Sequence, residues 1–255
     1  MRLVLNHVPT AVIGVLIVGG TIALALLAFN WVHKRNGESV DTDGAMDPLG
    51  LVGVVYGLIL ALVVFGLWTN FSAAHDTVTN EAAALAQVAL DVRALPSDDR
   101  ARVEGAISRY IHTVLNEEWG LMSLGRESAR AHKALDNVAV ELERVQPTTR
   151  SAEAWYGEAV TKLNDAATAR RQRIEAVERE MPVELRAFLF AGAIFPIGLV
   201  ILITRRRMQM VPVVAITTLI AYVLFLSIIL DYPFSGSVRV STAPYHQGVL
   251  APLAP

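Results

Sequence analysis

Four stretches of this chain are apolar at almost every position, and the long stretch between the second and third is apolar only at every third or fourth. The four apolar runs cover residues 8–32, 49–69, 187–204 and 211–230. About 20 apolar residues at about 1.5 Å each span a hydrocarbon core of roughly 30 Å. The first two runs hold no charge, the third continues a polar helix, and the fourth has Pro212 in its first turn, where a missing N–H costs little. The N-terminal run is too long for a signal peptide, and no small-residue cleavage site follows it.

Between residues 70 and 184 the apolar period is helical. Val78, Ala82, Leu85, Val88, Ala89 and Val92 form one stripe, which extends the second span outward until Leu95-Pro96 ends it. Ser97 is the expected cap of a second helix, with Asp98 and Asp99 at its positive end. That helix buries Val103, Ile107, Tyr110, Ile111, Val114 and Leu115 and closes near Trp119-Gly120. A third carries Ala131, Leu135, Val138, Leu142 and Val145, a spacing of four and three that makes a packing seam, and Gln146-Pro147 stops it. A fourth starts near Ser151, turns Trp155, Ala159, Leu163, Ala166, Ile174 and Val177 inward, and leads to a kink at Pro182.

The expected fold is an all-α membrane protein of four transmembrane helices, with a four-helix water-facing domain inserted between spans two and three. Its parts are a first hairpin (1–69), the helical bundle (70–184), a second hairpin (185–230) and a C-terminal turn and tail (231–255).

Composition narrows the chemistry. Of the 255 residues 53% are hydrophobic and 18% charged, where soluble domains carry about 25% charged residues. A net charge of −2 implies no basic face and no nucleic-acid partner. Without cysteine there is no disulfide, thiol nucleophile or zinc–thiolate site. The six histidines never pair at helical metal-clamp spacing, so no metal site is expected. D-T-D-G-A-M-D, residues 41–47, looks like a calcium loop but lacks the length and closing glutamate of an EF-hand, and reads as a solvated loop. Glu117-Glu118-Trp119 reads as surface charge beside one packed indole. No phosphate loop, nucleophile elbow or paired catalytic carboxylate appears, so neither an enzyme nor a cofactor is expected.

The second span is the most informative segment. Gly50, Gly53, Gly57 and Ala61 share one helical face, followed by Val64 and Trp68. Small residues at this spacing allow close helix packing. They also suit the wall of a narrow conduit at the axis of an oligomer, where bulky apolar side chains gate by dewetting. The span centres hold no ionisable residue, which counts against proton-coupled transport.

After the fourth span comes D-Y-P-F-S-G, with Asp231, Pro233, Phe234 and Gly236 as an ion mouth or a structural turn. A carboxylate at a helix C-terminus opposes the macrodipole by a few tenths to about 1 kcal/mol, so a compensating charge is expected, from Arg239 or a passing cation. The preferred reading is structural, the carboxylate bracing the P-F-S-G turn.

Five stretches together resemble the bacterial bestrophin-like family of unknown function: V-G-V-V-Y-G-L-I-L-A-L-V-V-F-G-L-W (52–68), N-E-A-A-A-L (80–85), R-A-L-P (93–96), N-E-E-W (116–119) and L-D-Y-P-F-S-G (230–236). With their spacing they cover most of residues 49–240, and the last is the most specific. That family is likened to bestrophins, homo-oligomeric anion channels with pore-lining second spans. The resemblance therefore implies a self-associating, channel-like protein in a lipid bilayer, with inorganic ions as its cargo. The second span lacks the aromatic run of the bestrophin neck, so ion selectivity does not carry over.

Loop charges give an orientation. The short loops carry Lys34, Arg35, Arg205, Arg206 and Arg207, and the tails only Arg2 and Arg239. Long domains, including Arg170, Arg171, Arg173 and Arg179, count little. This places the short loops in the cytoplasm and the helical domain outside, opposite to bestrophins. The function expected is a homo-oligomeric ion channel. The alternatives are a non-conducting scaffold or sensor whose helical domain binds a protein partner, and a stator-like energy-transducing complex.

Overall fold

The computed structural model describes residues 1–36, 46–203 and 210–254. Most of the D-T-D-G-A-M-D motif and the arginine loop at 205–209 lie outside the described residues. The helices are α1 (Arg2–His7), α2 (Thr10–Asn36), α3 (Met46–Asp91), α4 (Ser97–Thr113), α5 (Trp119–Ser123), α6 (Ala129–Glu143), α7 (Arg150–Glu178), α8 (Val183–Gly192), α9 (Ile194–Ile203) and α10 (Met210–Leu230). No strand occurs among the described residues. Four segments are long and apolar enough to cross a membrane: Thr10–Val32, Gly50–Ala94, Val183–Leu202 and Met210–Leu230.

The chain divides into two compact units. The apolar unit contains His7–Asn70 and Glu180–Tyr232, and the helical unit contains Met1–Asn6, Phe71–Arg179 and Pro233–Pro255. α3 contributes to both and is unbroken over 46 residues. At about 1.5 Å per residue it is roughly 69 Å long, more than twice the thickness of a bilayer core.

In the helical unit, local chemistry sets the helix ends. A 3₁₀ turn, Val92–Ala94, ends α3, and Leu95 before Pro96 is extended. Ser97, the expected cap of α4, is instead its first residue; Pro96 holds the cap position and the Ser97 hydroxyl donates to Asp98. Ser128 and Thr149 do cap α6 and α7, their hydroxyls accepting the N–H groups of Ala131 and Ala152. α5 closes in a Schellman turn, with Arg126 N–H to Leu121 O, Gly125 N–H to Met122 O, and Gly125 at φ 81°. Glycine fits there because an L side chain rarely takes that φ.

The core of this unit joins the stripes of α3, α4, α6 and α7, among them Leu85, Ile107, Val138 and Leu163. It also takes in Phe234, Val240, Tyr245 and Leu250 from residues 233–254. The C-terminal segment is thus an apolar strap of 3₁₀ turns rather than a free tail. Its first turn is held by Val240 N–H to Pro233 O and by Gly236 N–H to the Asn6 side chain.

In the apolar unit the third span is broken. α7 ends before Pro182 rather than kinking there, and Pro182 occupies the cap position of α8. A second break at Ala193 separates α8 from α9, because Pro196 has no N–H to give Gly192 and its ring crowds that carbonyl. α2 packs on α10, where a Cβ on Gly14 would stand 2.9 Å from the Phe225 ring. α3 packs on α8 through Tyr56, whose hydroxyl donates to Leu189 O at 2.8 Å. A Cβ on Gly192 would stand 2.8 Å from the Tyr56 ring.

That clash makes a prediction. The hydroxyl bond tethers Tyr56, so Gly192→Ala should destabilise the protein by about 1–3 kcal/mol. Gly19→Ala on α2 should not, since no atom lies within 4 Å of its Cβ position. Thermal unfolding of both variants in one detergent measures the contrast.

Candidate functional site

The six residues picked out on the second span, Gly50, Gly53, Gly57, Ala61, Val64 and Trp68, all line one groove of about 950 Å³ in the apolar unit. Pro196 and Leu199 of α9 and Ile216, Leu219 and Val223 of α10 form the opposite wall. Nothing stands within 4 Å of the Cβ positions of Gly50, Gly53 and Gly57, in contrast to Gly14 and Gly192. Trp68 is 58% exposed at one end. The groove wall is hydrocarbon, apart from the backbone, the Trp68 indole N–H and the Tyr56 hydroxyl already bound to Leu189. It can accept another apolar surface, and it offers no group for general acid–base or metal chemistry.

Asp231 is bound differently from either expectation. Its side chain, 4% exposed, accepts the Met181 N–H at 2.7 Å on Oδ1 and Arg186 Nη2 at 2.6 Å on Oδ2. The compensating cation is Arg186, not Arg239, which is exposed. The carboxylate braces the start of α8 rather than the P-F-S-G turn. Burial holds the Asp231 carboxyl above the ordinary 3.8, and the Met181 N–H and Arg186 offset only part of that rise. Pro233, Phe234 and Gly236 belong to the helical unit, where Phe234 meets Trp119 edge-on at 5.9 Å.

The helical unit holds a charged cluster that the sequence reading passed over. Arg173 is fully enclosed, with Nε 2.7 Å from Glu81 Oε2, Nη2 3.1 Å from Glu81 Oε1 and 2.8 Å from Glu118 Oε2. Its Nη1 lies 2.8 Å from the Met122 sulfur, and its guanidinium 5.8 Å from the centre of the Trp119 ring. Arg170 Nη2 donates to Glu118 Oε1 at 2.5 Å, and Tyr110 donates to Glu81 Oε1 at 2.5 Å. Two carboxylates face two guanidiniums, so the charges balance. Glu118, read from the sequence as surface, is wholly buried because Val114–Glu118 form a π turn that swings Glu118 and Trp119 inward.

Burial alone would depress the basicity of Arg173, but Glu81 and its neighbours reverse this and hold it well above its usual value. Burial first, then Glu81, raise the Tyr110 hydroxyl well above 10. Tyr245, edge-on to Trp119 at 6.3 Å, is raised by burial first, with Arg173 opposing and Glu81 adding. Among the described residues no group of three or more acidic or histidine side chains could hold a metal ion.

The family model described as Bestrophin-like domain matches residues 15–245, and the chain belongs to that family. Its fold is that of bacterial bestrophin homologues from Klebsiella pneumoniae. One such crystal structure, of a point mutant, has a TM-score of 0.73 at 14% identity, over 94% of this chain and 97% of that one. A second mutant gives 0.71 at 15% identity, over 95% and 98%. A structure phased with zinc gives 0.66 at 14%, over 95% and 97%. No curated protein matches the chain in sequence.

The cluster makes two predictions. Arg173→Met leaves Glu81 and Glu118 buried and short of a cation, and should cost about 3–5 kcal/mol; adding Glu81→Gln should recover part of it. Chemical denaturation of the single and double variants measures both. In alkali, unfolded tyrosines ionise near 10 while Tyr110 and Tyr245 resist. Their contribution is therefore fully present below pH 10 and lost as the pH rises above it, by about 1.4 kcal/mol per pH unit for each group. Tyr110→Phe should make the alkaline limb of a stability–pH curve shallower.

Proposed function

We propose that this chain is the subunit of a homo-oligomeric ion channel in the cell membrane, with the small-residue face of α3 packed at the oligomer axis and lining the pore. One observation carries the reading: Gly50, Gly53 and Gly57 have nothing opposite them in a single chain, while Gly14 and Gly192 are packed tightly within it. A face of bare backbone is suited to close approach by another helix, or to a narrow lumen. Membership of the bestrophin-like family supports conduction as the outcome. An apolar lumen edged by Val64, Phe65 and Trp68 would gate by dewetting rather than by fixed charge.

In this reading the helical unit is a water-facing domain inserted between spans two and three. An even number of crossings then puts it on the same side as both termini. Loop charges favour the outside for it, and the bestrophin relation favours the cytoplasm. The chain has no native thiol, so Ser39→Cys, Glu127→Cys and Ser241→Cys can be labelled one at a time in intact cells. Positions 127 and 241 should label together and oppositely to 39. Label at all three from one side would refute the four-span topology.

The functional test is Gly57→Leu, which fills the bare face. Planar-bilayer recording under asymmetric salt should show loss of conductance, and native mass spectrometry a changed or broken oligomer. Unaltered assembly and unaltered current would remove this face from the pore. A native oligomer that never conducts would favour the scaffold or sensor reading.

A further inference from the structure

The ion pair at the end of α10 has a second carboxylate within reach. Arg186 Nη2 lies 2.6 Å from Asp231 Oδ2 and 3.6 Å from Glu180 Oε2, so a shift of the guanidinium of about 1 Å exchanges one partner for the other. The two seats differ in environment. Asp231 is almost enclosed, whereas Glu180 is 38% exposed and loses less hydration when charged. Tyr232 completes the group, its hydroxyl donating to Glu180 Oε2 at 3.3 Å and its ring lying 5.7 Å from the Arg186 guanidinium. The charged and titratable groups facing Asp231 are thus Arg186 from α8, Glu180 from the link before α8, and Tyr232 from its own turn. Burial already biases Asp231 toward its neutral form.

The Asp231 carboxylate also carries a mechanical tie. By accepting the Met181 N–H it fastens the link ahead of Pro182 to the end of α10, and the same Arg186 Nη2 lies 3.5 Å from the Met181 carbonyl oxygen. We propose that Arg186 is the moving part of a proton-operated latch. Seated on Asp231 while that carboxylate is charged, it transfers to Glu180 when Asp231 takes a proton from solvent, and the tie between the end of α10 and the start of α8 loosens. The inference does not rest on conduction by the oligomer.

The test is amide hydrogen exchange at Met181 in the full-length protein in nanodiscs, corrected for the intrinsic pH dependence of exchange. Between neutral pH and a pH within the carboxylate range, protection in the native protein should fall about tenfold, the loss expected when a charge-assisted bond weakens to an ordinary one. Glu180→Gln removes the second seat, keeps Arg186 on Asp231, and should hold protection to lower pH. Asp231→Asn should be weakly protected at both pH values. If that variant does not fold, Glu180→Gln decides alone. Protection independent of pH in the native protein, or an unchanged pH response in Glu180→Gln, would overturn the latch.

Discussion

The helical unit is organised around one enclosed charge, the guanidinium of Arg173. Removing such an ion from water costs several kcal/mol even after relaxation, and the cost is recovered only when carboxylates stand in hydrogen-bonding positions. Glu81 on α3 and Glu118 in the π turn supply them, 92 and 55 residues away in sequence. A register slip of either segment against α7 would leave a buried charge unpaired, so this pairing sets the register of three segments at once. The π turn fits the same demand, bringing Glu118 and the adjacent Trp119 both into the core. Trp119 then receives Arg173 against its ring and, edge-on, Phe234 and Tyr245 of the C-terminal strap. The strap has little secondary structure of its own and packs on the aromatic side of the arginine it helps enclose.

Periodicity made the helices legible. The apolar stripes of α3, α4, α6 and α7 are the helical unit's core, because an amphipathic helix has one face to bury and its spacing names that face; the exception is Trp155 on α7, expected inward and 46% exposed. The charged cluster is legible only from the positions of its members, since residue type alone places charged side chains at the surface. Glu81 lies between Val78 and Leu85, Glu118 four residues after Val114, and Arg170 and Arg173 between Ala166 and Val177. All four occupy stripe positions, and two acids and two bases on facing stripes are the mark of a buried network. The stretches N-E-A-A-A-L and N-E-E-W, which carried the family resemblance, supply its two carboxylates. For Asp231, proximity along the chain points downstream to Arg239. Its true partner, Arg186, is 45 residues upstream, in a helix whose start is placed by Pro182.

The glycine face was legible as a face, and its counterpart was not. Spacing puts Gly50, Gly53 and Gly57 on one side of a helix, but cannot distinguish glycines that admit a neighbour within the chain from those that leave room. Gly192 and Gly14 admit the Tyr56 and Phe225 rings. The α3 glycines face a groove walled by α9 and α10 and meet nothing. In a bilayer there is no hydrophobic gain from covering such a groove with another apolar helix rather than lipid. What favours association is van der Waals fit, which bare backbone maximises. The exposed Leu51, Leu58 and Leu62 elsewhere on the helix offer less of it.

The two arginine clusters show how enclosure decides between a fixed charge and a movable one. Arg173 spends its donors on two carboxylates and a thioether, all inside the core. Each displacement would strand a buried charge, so the arrangement has one state. Arg186 is about one-third exposed and lies between a carboxylate that burial makes costly to charge and one that water reaches. Its two seats therefore differ by an amount that one proton can reverse. The same side-chain chemistry gives rigidity where water is excluded from every partner, and a switch where it is excluded from only one.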